Sequence, residues 1–99
     1  MLLSEYISEN QLDAFCERHH IRKLMLFGSA LQNELKSKSD IDILVEFDEN
    51  HMPGLMDLAG IEIELSEIIG RKVDLRTPAE LSRYFRDQVL KNARVEYAA

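Results

Sequence analysis

The stretch LMLFGSALQNELKSKSDIDILVEF, residues 24–47, decides how the rest of the chain is arranged. The apolar run Leu24 to Phe27 has the length and composition of a buried strand. It stops at Gly28-Ser29. After ten further residues, Asp40-Ile41-Asp42 opens a second apolar run, Ile43-Leu44-Val45. The pattern is a strand, a Gly-Ser turn, a polar excursion, and a second strand with carboxylates at its start. In that second strand Asp42, Leu44 and Glu46 share one face, and Ile41, Ile43, Val45 and Phe47 the other. The second of these faces is uniformly apolar and is expected to meet helices.

The spacing carries chemistry. Alternation puts Asp40 and Asp42 on the same side of the strand, with Cα atoms roughly 7 Å apart. Like charges held that close repel unless a cation lies between them. Mg²⁺ suits such a pair, because it is held by one or two carboxylates plus substrate phosphates. Gly28 permits close backbone approach, and Ser29 adds a hydroxyl and an N–H at a helix start, a ready anion site. A Gly-Ser alone marks only a turn and a helix cap, and an Asp-x-Asp alone a solvated strand start. Flanking one short excursion between two strands, they read together as a nucleotide site.

This joint pattern resembles the signature of the DNA polymerase β-like nucleotidyltransferase superfamily. The small size points to its minimal nucleotidyltransferase (MNT) branch, the antitoxins paired with HEPN-domain toxins. Pro53 to Leu58, Gly70 to Leu75 and the closing segment Leu81 to Tyr97 resemble that branch too, so the likeness covers nearly the whole chain. It implies a palm fold in which Asp40, Asp42 and Asp74 hold Mg²⁺. Asp74 would also take the proton from the incoming hydroxyl, and Gly28 and Ser29 would hold ATP phosphates. It further implies transfer of AMP from ATP to a tyrosine hydroxyl of the toxin. The chain departs from the pattern after Gly-Ser. Where many members carry arginines and a glycine, it has Ala30, Gln32 and Asn33, while Lys36 stands where another basic residue is often found. A binding antitoxin that acts by occlusion alone, and a transferase acting on a small molecule or an RNA end, are the alternatives.

Composition narrows the field. At 99 residues and 45% hydrophobic content, a single domain over 1–99 with one modest core is expected, without room for a second substrate-binding domain. The acceptor is then best presented by a partner protein. A net charge of −6 disfavours direct nucleic-acid binding, which needs a basic footprint. No apolar run approaches the ~18 residues of a membrane span, and no signal-peptide pattern opens the chain. The single cysteine, Cys16, fits a reducing cytoplasm and reads as a small buried hydrophobe.

The remaining elements follow in order. Ser8-Glu9-Asn10-Gln11 fits a capping box, and Leu12, Phe15, Cys16 and His19 then share a helix face. His19-His20 reads as a helix end rather than a metal site. Ala30 to Leu35 can form a short helix, and Lys36 to Ser39 a polar loop whose lysines either contact phosphate or are simply solvated. Leu55 to Ile69 is the clearest helix, with Leu55, Leu58, Ile61, Leu65, Ile68 and Ile69 as its apolar stripe. Gly70 is its C-cap, and its glutamates are expected to face solvent. Lys72 to Arg76 is a third strand. Its Asp74 is either a salt-bridge partner of Arg71, Lys72 or Arg76, or a third carboxylate beside Asp40 and Asp42. Thr77-Pro78 opens a helix over 79–92, with Leu81, Tyr84, Phe85 and Val89 inward. Val95 and Tyr97 either form a short strand or extend that helix. The expected class is a mixed α/β (α+β) domain, a small mixed sheet covered by helices.

Overall fold

The structure, a computed structural model, describes residues 3–28, 40–84 and 86–99. The expected helix from Ala30 to Leu35, and Ser29, Lys36 and Phe85, lie outside the described residues.

Helix α1, Glu9–Arg18, begins with the capping box its sequence spells. The Gln11 N–H donates to the Ser8 hydroxyl at 3.2 Å, and the Ser8 N–H to the Gln11 side chain at 3.3 Å. Leu12, Phe15 and Cys16 are its buried face. Burial, with Asp13 adding to it, pushes the Cys16 thiol up to about 12, so it packs as an apolar group and is no nucleophile. The chain reverses at His20, whose φ of 57° is left-handed, and enters strand β1, Ile21–Leu26. Strand β2, Ile41–Phe47, returns antiparallel to β1. Helix α2, Leu55–Ile69, then crosses over to β3, Val73–Arg76, which lies parallel to β2. Such a parallel return needs a long crossover, and α2 supplies it. Gly70, at φ 79°, ends α2 in the left-handed conformation expected of a C-terminal glycine. Helix α3, Arg86–Asn92, leads into β4, Arg94–Ala98, which pairs antiparallel with β1. The sheet order is β3-β2-β1-β4.

One face of the sheet carries the core. Ile41, Ile43, Val45 and Phe47 are buried there as anticipated, with Leu24, Leu26, Val73 and Leu75 from the neighbouring strands. Phe15 and Cys16 of α1, and Ile61, Leu65 and Ile69 of α2, close it. On the opposite face Met25 and Leu44, paired across β1 and β2, are the buried apolar side chains among the described residues of the sheet, with the 3₁₀ turn Pro78–Glu80 beside β2. Among the described residues no helix is long and apolar enough to cross a membrane.

Several expectations are corrected. Leu55 is 84% exposed and does not belong to the buried stripe of α2. At the first turn the helix has run past the edge of the core. The helix expected over 79–92 begins only at Arg86. Pro78 opens a 3₁₀ turn that stops when Leu81 becomes extended, and the Ser82 hydroxyl then accepts the Tyr84 N–H, a local bond that competes with helix. Tyr84 is consequently exposed, and Leu81 and Val89 are only half-buried. Val95 and Tyr97 resolve as strand.

Candidate active site

The parallel register of β2 and β3 brings the acidic residues together. Ile41 lies opposite Val73, Asp42 opposite Asp74, and Ile43 opposite Leu75. Directly opposed residues of adjacent strands point to the same side. The apolar pairs therefore enter the core, and the Asp42–Asp74 pair between them emerges on the other face. Adjacent strands are about 4.8 Å apart, so the two carboxylates are close neighbours. Asp40 immediately precedes β2, and the Lys72 ammonium lies 3.8 Å from its carboxylate.

Gly28 completes this corner. It follows β1 at φ 63°, a conformation that strains any residue with a side chain. A Cβ built on it would lie 2.5 Å from Oδ2 of Asp42. Backbone and carboxylate thus share a space that only glycine leaves open. The Phe27 N–H donates to the Asp42 carbonyl at 3.2 Å and ties the two strand ends together.

Strand β3 is held in this register by α2. The Val73 N–H donates to the Ser66 hydroxyl at 3.0 Å, and the Leu75 N–H to the Glu62 carboxylate at 2.8 Å. Ser66 also donates to the Glu62 carbonyl at 2.8 Å. These bonds fix the backbone on either side of Asp74. The expectation that the glutamates of α2 merely face solvent is therefore corrected. Glu62 anchors β3, and Glu64 accepts from Arg18 at 2.8 Å and lies 2.6 Å from His19. Burial alone would push the Glu64 carboxyl up, but His19 and Arg18 outweigh it and hold the group below its usual range. Nothing in the local pattern of α2 announces these partners, which come from distant segments.

Asp74 faces the same side as Asp42 and is also paired with Arg76. The guanidinium lies side-on, Nε to Oδ1 at 3.2 Å and Nη2 to Oδ2 at 3.5 Å. That bond, with Glu80 and Asp42 nearby, holds the Arg76 guanidinium above its ordinary value. Among the described residues no three His, Cys, Asp or Glu side chains converge as a ready metal cage. The donor set is nonetheless all oxygen, which suits Mg²⁺. That ion keeps waters and draws further ligands from phosphates, so it needs no cage.

Two other regions compare poorly as nucleotide sites. A groove of about 560 Å³ between α1 and β4 is walled by Glu9, Asp13, Glu17 and Glu96, which repel phosphate. His20 stacks on His51, ring centroids 3.8 Å apart, a contact between the end of α1 and the loop after β2 that spacing did not reveal. His19 is the C-cap of α1, as the reading of a helix end expects.

The sequence profile of a nucleotidyltransferase domain matches residues 8–96. A Methanocaldococcus jannaschii protein that carries a provisional protein adenylyltransferase name is 40% identical over 76 residues, covering 77% of this chain and 80% of its own. The protein adenylyltransferase MntA of Thermococcus cleftensis is 36% identical over 75 residues, covering 76% and 74% respectively. Among solved structures, one described as a minimal nucleotidyltransferase superposes with a TM-score of 0.71 at 31% identity, covering 94% of both chains. A toxin–antitoxin structure with AMP-PNP superposes with a TM-score of 0.74 at 21% identity, covering 94% of this chain and 75% of that one. A tri-AMPylated Shewanella oneidensis HEPN toxin in complex with MNT antitoxin gives 0.65 at 19%, covering 92% and 70%. These last two similarities are evidence of shared fold alone.

Proposed function

The chain belongs to the nucleotidyltransferase domain family, and from that premise we propose that it is a Mg²⁺-dependent protein adenylyltransferase acting as an antitoxin. It moves AMP from ATP to a tyrosine hydroxyl of a HEPN-domain toxin and so neutralises it. The observation that carries the reading is the Asp42–Asp74 register, with Asp40 alongside and Gly28 clearing space for the Asp42 carboxylate. The relatives' names support protein adenylylation as the reaction. The nucleotide and the partner are proposed by analogy with complexes that share the fold, one with AMP-PNP and one with an AMPylated HEPN toxin.

In this reading Asp40 and Asp42 hold Mg²⁺, and Asp74 shares in holding it. Bound there, the metal supplies charge neutralisation at the α-phosphate and stabilises the attacking and leaving oxygens. Asp74 takes the proton of the acceptor hydroxyl. The freed oxygen bonds the α-phosphorus, the bond to the bridging oxygen of the β-phosphate breaks, and pyrophosphate leaves with the electron pair. Gly28, lacking a Cβ, leaves the Asp42 carboxylate its space, and Ser29 and Lys36 are assigned to the phosphates. A net charge of −6 disfavours RNA as the acceptor, which favours one presented by protein. We assign the reaction to the cytoplasm, where ATP and its partner would both be found.

Co-expression with the adjacent gene's product, followed by intact-mass analysis of that partner, tests the proposal. The expected result is a mass gain of whole AMP units that requires ATP and Mg²⁺ and disappears in Asp42→Asn with the fold retained. Asparagine keeps the shape and removes the charge. A partner that is neutralised yet unmodified would replace this reading by neutralisation through binding alone.

A further inference from the structure

Lys72, Asp74 and Arg76 alternate along β3 and its approach, so all three face the side on which Asp42 emerges. Charge on this face runs cation, anion, cation, with Asp40 and Asp42 beside it. The fork from Arg76 engages both oxygens of Asp74. Those are the oxygens that the proposed function gives to the metal and to the acceptor proton. The guanidinium is only a donor and stays charged at any physiological pH, so it cannot be titrated out of the way. It can only be displaced.

We propose that Arg76 is a positioning residue, an internal counter-cation that holds Asp74 when the site lacks metal and makes the site take its metal together with a triphosphate rather than alone. The inference rests on the reading of Asp40, Asp42 and Asp74 as metal ligands.

The sign of the electrostatics gives the mechanism. Without a cation, Asp42 and Asp74 repel, and Arg76 relieves that repulsion in place. A bare divalent ion approaching these carboxylates meets a fixed positive charge and must break the fork before it gains Asp74. A metal–triphosphate complex carries net negative charge, so the same arginine attracts it. The phosphates also give the displaced guanidinium new acceptors of the kind its planar fork suits. One residue thus opposes the bare ion and favours the loaded nucleotide. Lys72, 78% exposed and 3.8 Å from Asp40, is a looser counterpart, easily released.

Mn²⁺ titration of the intact protein, followed by the loss of the free-ion electron paramagnetic resonance signal, tests this without any turnover. In Arg76→Gln, Mn²⁺ alone is expected to bind about two- to fivefold tighter than in wild type, the scale of a half-exposed ion pair. With a non-hydrolysable ATP analogue present, that gain should vanish or reverse. Arg76→Lys, which keeps the charge, should stay near wild type for Mn²⁺ alone. Mn²⁺ affinity that depends on Asp42 but is unchanged or weaker in Arg76→Gln would overturn the role of Arg76 and leave the metal site standing. Equal Mn²⁺ binding by wild type and Asp42→Asn would overturn the metal site itself, and the role of Arg76 with it.

Discussion

The two faces of the sheet are built from the same strands to opposite ends. Residues 41, 43, 73 and 75 point one way and are buried apolar groups. Residues 42, 72, 74 and 76 point the other way and are charged and only partly covered. Since side chains alternate with period two, each apolar pair that locks β2 to β3 also fixes the charged pair beside it. A slip by one residue would carry Asp74 into a closed hydrocarbon core, at the cost of burying an unpaired charge. The alignment of the acidic pair is therefore enforced from the far side of the sheet. Stability and chemistry are separable by residue although they are inseparable by strand.

Substitutions on each face can break that comparison. The largest effect is expected from Asp74→Asn. Loss of a general base slows AMP transfer by about 10²–10⁴-fold, while thermal midpoint and MgATP affinity change little. Single-turnover rates, an affinity measurement and a melt on the same variant check this. A normal rate with a lowered midpoint would make Asp74 structural only, and the division between faces would fail. Next comes Ile43→Ala on the core face, expected to cost about 2–5 kcal/mol in denaturant unfolding, with transfer per folded molecule unchanged. A rate that fell with stability would show the faces to be coupled. A smaller loss of stability than that of Ile43→Ala is expected from Gly28→Ala, about 1–2 kcal/mol from left-handed backbone. This variant sharpens the comparison, because it sits where the faces meet. The added methyl meets the Asp42 carboxylate, so transfer should fall as well. Full transfer by that variant would show that Asp42 can move without loss.

Much of this was legible in residue order. The alternation of β2, the capping box at Ser8, Gly70 at the end of α2 and the placement of Asp42 all follow from local pattern, because each is decided by nearest neighbours. What could not be read depends on distant partners. Strand β1 begins at Ile21, before the apolar run, because pairing with Phe47 and with the end of β4 extends it through the polar Arg22 and Lys23. Val95 and Tyr97 are strand because β1 offers an open edge, and no local signal tells that edge from a continuing helix. Arg76 as the partner of Asp74 was one of three candidates, and geometry selects it. The bonds of Glu62 to β3 and of Glu64 to α1 join segments whose approach no spacing rule supplies. Ser29 and Lys36 remain assignments by resemblance.

The bonds from α2 to β3 have one more consequence, for how the molecule behaves in company. Strand β3 lies at the rim of the sheet. A rim strand with a free row of N–H groups is a template on which another chain can grow by strand addition, the first step towards aggregates. Here the outward N–H groups of Val73 and Leu75 already end on Ser66 and Glu62. The helix that delivers the chain to this strand also occupies these two outward donors. With those groups occupied, this rim offers fewer donors for recruiting copies of the chain.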